Sequence, residues 1–148
     1  MQVRFARHTD RLDEVVRFYR DRLLLPELGR FEDHDGYDGV FLSLPGSGAH
    51  LEFTSGGEHA PPQTHPETLL VLYLGDWETV RAAADRLDAS PIEPANPYWA
   101  EHALTFADPD GFRVVLAAEE WNAEDELTDR LADTGLRRYR ELLRRLGD

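Results

Sequence analysis

Glu52 is the residue whose setting most suggests chemistry. It stands between Leu51 and Phe53, and strand alternation sends it to the face opposite those two apolar neighbours. A carboxylate placed there is costly to bury unless it is paired. It can act as a general base or anchor a cationic ligand group, or it can be half of a structural ion pair with Arg4 or Arg113. Arg113 has the forked donors to hold a ligand carboxylate or phosphate, unless Glu52 takes them. His8 and His50 belong to the residue type that titrates near neutrality and can shuttle protons; each can equally be a hydrogen-bonded strand residue. His102 is either a cleft-rim residue or a surface contact. Tyr37, Tyr98 and Trp99 fall in loops bearing Gly or Pro. Core packing explains rings there poorly, and stacking on a flat ligand explains them better. His34, His59 and His65 lack the spacing of a helical metal pair and receive no role.

The elements that must position these residues occur twice. Val3 to Arg7 alternates as a half-buried strand, with Arg4, Ala6 and His8 on one face. A helix follows, with Leu12, Val15, Val16, Tyr19 and Leu23 at three- and four-residue steps, until Pro26 stops it. Short strands are expected at Leu28–Phe31, Val40–Leu44 and His50–Thr54, giving β-α-β-β-β. Residues 56–67 carry Gly56, Gly57, Pro61, Pro62 and Pro66 and read as a linker. The order then returns: a strand at Leu69–Leu74, a helix opened by Asp76, a short strand at Ile92–Pro94, and a loop at Asn96–Glu101. Last comes a hairpin across Asp108-Pro109-Asp110-Gly111, where Gly111 can take the positive φ the turn needs. The helices align at an offset of 65 residues, Leu12 and Val15 over Trp77 and Val80. Two such modules, 1–55 and 68–120, are expected to build one α+β domain, a curved mixed sheet around a cleft. From 121 to 148 an amphipathic helical tail is expected, with Leu127, Leu131, Leu136, Tyr139, Leu143 and Leu146 as its apolar stripe.

Composition narrows the chemistry. A net charge of −13 makes nucleic acid and anionic membrane poor partners. All 16 basic residues are Arg and there is no Cys, which removes lysine and thiolate nucleophiles, disulfides and Cys-zinc sites. No apolar run reaches the length of a membrane span, and the expected location is the cytoplasm. No Gly-rich phosphate loop or G-x-S-x-G elbow occurs.

The order of elements, Phe18-Tyr19 on the first helix, Leu51-Glu52-Phe53 and Asp108-Pro109-Asp110-Gly111 together resemble the glyoxalase / bleomycin-resistance / extradiol-dioxygenase superfamily, also called vicinal oxygen chelate, over residues 1–118. The stretches Phe31–Gly39 and Asn96–Trp99 look like a bacterial glyoxalase-like subgroup. By that resemblance, metal ligands would fall at Ala6, Glu52, Leu70 and Val115. Only Glu52 has donor atoms, and an ion needs about three protein ligands to hold against water. The expectation is therefore no cofactor, with a divalent metal on a displaced His8, His50 and Glu52 triad as the alternative. The resemblance also implies a homodimer. The function expected is binding or sequestration of a small aromatic or cationic compound by Arg4, His8, Tyr37, His50, Glu52, Tyr98, Trp99, His102 and Arg113. The alternative is a lyase, isomerase or dioxygenase that uses Glu52 as base or the displaced metal.

Overall fold

Strand β1 (Val3–His8) lies parallel to β4 (Ala49–Gly56), a pairing that needs the long crossover between them. That crossover begins with helix α1 (Leu12–Val16) and continues as a π-helical segment at Arg17–Arg22. In the wider turn the Leu23 N–H reaches back to the Phe18 carbonyl at 3.1 Å. Strands β2 (Glu27–His34) and β3 (Tyr37–Leu44) form an antiparallel hairpin, completing a four-stranded sheet in the order β1-β4-β3-β2. The second module repeats the plan with β5 (Leu69–Tyr73), α2 (Trp77–Leu87), a short helix α3 (Tyr98–His102), β6 (Ala103–Ala107) and β7 (Arg113–Ala117). Its sheet has three strands, β5-β7-β6. The computed structural model describes residues 2–121, so the helical tail read at Ala123–Ala132 and Leu136–Leu146 lies outside the described residues.

The mixed α+β architecture agrees with the expectation, each module contributing its own hydrogen-bonded sheet, with two corrections. The strand expected at Ile92–Pro94 shrinks to a single bridge from Ile92 to Thr105, because Pro94 has no N–H to extend a ladder. The loop expected at Asn96–Glu101 contains α3, started by Asn96, whose Oδ1 accepts the Tyr98 N–H at 3.0 Å. His102 consequently ends a helix and is not on a strand.

One apolar core serves both modules. Val15, Val16, Phe18 and Tyr19 pack with Leu51 and Phe53 and, across the module boundary, with Val80, Leu87, Phe106, Val114 and Leu116. A second, smaller cluster of Ala103, Val115 and Ala117 lies on the other face of β6 and β7, with Trp99 against it. Helix α2 is capped by Asp76, whose Oδ1 accepts the Thr79 N–H at 2.8 Å; such a cap contributes about 1 kcal/mol.

The two modules are joined by the β6–β7 turn. Asp108 Oδ1 accepts the N–H groups of Asp110 and Phe112 and so shapes the turn, with Gly111 at φ 86°. Its Oδ2 accepts from Tyr19 Oη at 2.8 Å and from Arg7 Nη2. The turn therefore holds α1 and β1 as well as closing its own hairpin. No helix among the described residues is long and apolar enough to cross a membrane.

Candidate functional site

Strand alternation places Arg4, Ala6 and His8 beside His50, Glu52 and Thr54 in the β1–β4 register. This is the face opposite Leu51 and Phe53, as the sequence indicated. Glu52 is 8 % exposed, and its Oε2 lies 3.1 Å from Arg4 Nη1. The Arg4 Nε donates to His50 Nε2 at 3.1 Å, and its guanidinium lies over the Phe41 ring, 5.1 Å from the centroid. Because a guanidinium only donates, His50 presents the lone pair of Nε2 in this contact. The ion-pair partner of Glu52 is thus Arg4 and not Arg113.

His8 sits at the far end of the same strand. Its register partner is Thr54, whereas that of His50 is Arg4. Four residues of strand separate the two histidines, on the order of 13 Å at the usual rise. The displaced triad of His8, His50 and Glu52 is therefore not brought together around one ion. Among the described residues no group of three or more His, Asp or Glu is placed to hold a metal. Instead, His8 Nε2 contacts Asp10 at 3.0 Å and its ring meets His59, with centroids 4.9 Å apart. His59 Nε2 in turn lies 2.9 Å from the Tyr37 hydroxyl. Tyr37 and His8 thus belong to a cluster at the start of the linker. His59, which received no role from the sequence, holds it together.

The remaining candidates lie in the second module, Tyr98, Trp99 and His102 on α3 and Arg113 at the start of β7. Tyr98 stacks on His102 with centroids 4.2 Å apart and meets Trp99 edge-on at 5.0 Å. The Tyr98 hydroxyl donates to Glu119 Oε1 at 2.8 Å; that bond, ahead of burial and of the charge itself, raises the phenol above its ordinary range. His102 Nδ1 is 3.4 Å from the same carboxylate. The Arg113 Nη1 donates to the Glu93 carbonyl at 3.0 Å.

Two cavities adjoin these groups. One, about 230 Å³, is bordered by Trp99, Arg113, Thr105, Asn96, Leu69 and Glu67. Trp99 and Arg113 were singled out from the sequence. Thr105 was not, since a β-branched residue in an apolar strand reads as a strand former. It is 2 % exposed and its hydroxyl has no hydrogen-bond partner among the described residues. The other cavity, about 280 Å³, lies between the modules and is apolar, with Val3, Phe5, Leu51, Phe53, Leu70 and Phe112 among its walls. His50 and Arg113 both border it, whereas Glu52 does not. Leu70, which the resemblance matched to a ligand position, packs with the helix-side core, and Val115 packs on the other face.

Comparison with known proteins gives this arrangement a family. Residues 3–54 match the YycE-like N-terminal domain and residues 67–118 the YycE-like C-terminal domain. The uncharacterised protein YycE of Bacillus subtilis is 44 % identical over 120 residues, which cover 78 % of this chain and 86 % of that protein. A crystal structure of a Bacillus subtilis YycE protein of unknown function, related in its description to glyoxalase and fosfomycin-resistance proteins, superposes with a TM-score of 0.75. It is 38 % identical, covering 84 % of this chain and 93 % of that one. The fold is shared at lower identity by the fosfomycin-resistance protein FosX of Mesorhizobium loti, with a TM-score of 0.58 and 16 % identity over 89 % of this chain and 95 % of that one. It is shared too by TnmS3, an antibiotic-binding protein of Streptomyces, with a TM-score of 0.59 and 20 % identity over 81 % and 96 %. This chain belongs to the YycE-like family and shares the fold of glyoxalase and fosfomycin-resistance proteins.

Proposed function

We propose that this protein binds and sequesters a small, partly aromatic organic compound, and that it does so without a metal. The observation that carries the reading is the 230 Å³ cavity whose walls Trp99, Arg113, Asn96 and Thr105 share. A concave site with an aromatic wall and a few aimed polar groups is what recognition of a small molecule requires. Support for the metal-free part comes from the donor set: of Ala6, Glu52, Leu70 and Val115, only Glu52 has atoms that ligate. A thermal-shift screen of small aromatic compounds tests the proposal. Hits whose stabilisation disappears in Trp99→Ala are expected; hits that survive that substitution would place the binding elsewhere.

A second reading rests on Glu52. Its carboxylate is nearly buried and paired with Arg4, a setting in which it can take a proton from a substrate. A lyase or isomerase of this kind would lose turnover in Glu52→Gln while keeping its ligand affinity.

The working form we propose is a cytoplasmic homodimer. Val3 and Phe5 are 51 % and 58 % exposed on β1, whose outer edge has no paired strand among the described residues, beside the apolar cavity between the modules. A second copy would cover them. Sedimentation of Phe5→Glu is expected to show monomer where the native chain shows dimer.

A further inference from the structure

Resting on the binding reading above, we infer that the ligand of the Trp99 cavity is a planar monocarboxylate, an aromatic ring bearing one carboxylate group. The polar groups around the cavity are donors with little else to do. Arg113 spends Nη1 on the Glu93 carbonyl, which steers the guanidinium toward the cavity wall formed by Pro94, Ala95 and Asn96. Its Nε and Nη2 have no partner among the described residues. Asn96 gives its Oδ1 to the Tyr98 N–H, so the end left over is the amide NH₂. Thr105 also borders the cavity and is 98 % buried, and its hydroxyl has no partner among the described residues, an unfavourable state that a ligand oxygen reaching it would relieve.

Three donor groups ask for a flat acceptor, and a carboxylate presents two oxygens in the plane that a guanidinium matches. The single acid in the wall, Glu67, is exposed and so is screened by water. This is a notable balance in a chain with 29 Asp and Glu against 16 basic residues. The ring follows from the opposite wall. Trp99 is held by the edge contact with Tyr98 and by Tyr73, 6.5 Å away, so an aromatic surface is in place before any ligand arrives. The strands fix the spacing: Arg113 pairs with Leu69 and with Ala107, and Thr105 pairs with Val115, which puts Thr105 and Arg113 two residues apart on one face.

The experiment compares benzoate, benzamide and benzylammonium by calorimetry on the full chain and on Arg113→Gln, Thr105→Val and Trp99→Ala. Benzoate is expected to bind at least about tenfold more tightly than benzamide, and benzylammonium not to bind. Arg113→Gln should bring benzoate and benzamide together. Thr105→Val should weaken benzoate while raising the melting temperature, since it removes a buried unpaired hydroxyl; a purely structural Thr105 would leave affinity unmoved. Equal Trp99-dependent binding of all three compounds would overturn the carboxylate assignment and leave the aromatic site standing. No binding of any of the three at about millimolar concentration would overturn both readings for ligands of this size.

Discussion

Arg7 Nη2 stands 2.6 Å from Asp108 Oδ2, and this pair ties the first strand of one module to the last hairpin of the other. The guanidinium lies between the rings of Phe112 and Phe53, 3.9 Å and 5.0 Å from their centroids. Both side chains are almost wholly out of water, at 8 % and 0 % exposure. Removing Arg7 leaves the Asp108 charge buried with neutral donors only, and removing Asp108 leaves the buried Arg7 with the longer 3.7 Å contact to Asp110. Arg7→Met and Asp108→Ala are each expected to lower the unfolding free energy by about 3–5 kcal/mol, measured by urea denaturation. A loss below about 1 kcal/mol would mean that the shared apolar core alone holds the modules together.

Tyr19 donates its hydroxyl to the same carboxylate. Burial foremost, then the Asp108 charge, push its phenol well above the ordinary value of 10.0. In the unfolded chain Tyr19 ionises near its usual value. The stability it confers is therefore complete below pH about 10 and declines as pH rises toward the folded value. Tyr19→Phe keeps the stack on Phe53 and should cost about 1 kcal/mol at neutral pH. It should also flatten this alkaline limb in unfolding curves taken from pH about 9 upward.

An acid limb is expected from Glu27. Its two arginine contacts, Arg30 first and Arg20 second, lower its carboxyl from 4.5 to about 2. The corresponding stability is present above 4.5 and is lost as pH falls through about 2. The group is partly solvated, so the loss is about 1 kcal/mol or less. Glu27→Gln should remove it, and about 1 M salt should shrink it in the native chain.

Gly56 ends β4 at φ 110°, and a Cβ there would run into the Gly36 carbonyl. Gly56→Ala is expected to cost about 1–3 kcal/mol through backbone strain and that clash. The denaturation midpoint should fall while Gly29→Ala, with open space at its Cβ, falls by less than half as much.

Alternation in Val3–His8 and in Leu51-Glu52-Phe53 correctly separated the polar face from the core face, because a period of two is a local property. The Asp108 turn and the order of two modules were legible for the same reason. Partner choice was not. Whether Glu52 meets Arg4 or Arg113 depends on the parallel β1–β4 register, which joins residues 46 apart. Helix α3 was hidden because Asn96-Pro97 is equally a turn signal and a helix start. His59 was passed over because it lies in a Gly/Pro linker that only folding carries to Tyr37. Thr105 shows a chemical role only after its hydroxyl is seen to lack a partner.

The turn at Asp108 also makes the internal duplication one-way. The corresponding turn of the first module, Pro45-Gly46-Ser47-Gly48, uses the Ser47 hydroxyl to accept the Ala49 N–H and donate to the Leu44 carbonyl, and it carries no charge. A recombinant with the first half in both places would offer Arg7 a neutral hydroxyl where its counter-ion belongs. The two halves fit as a key and its keyhole, and an exchange of one half keeps the fit only if Arg7 and Asp108 are carried along together.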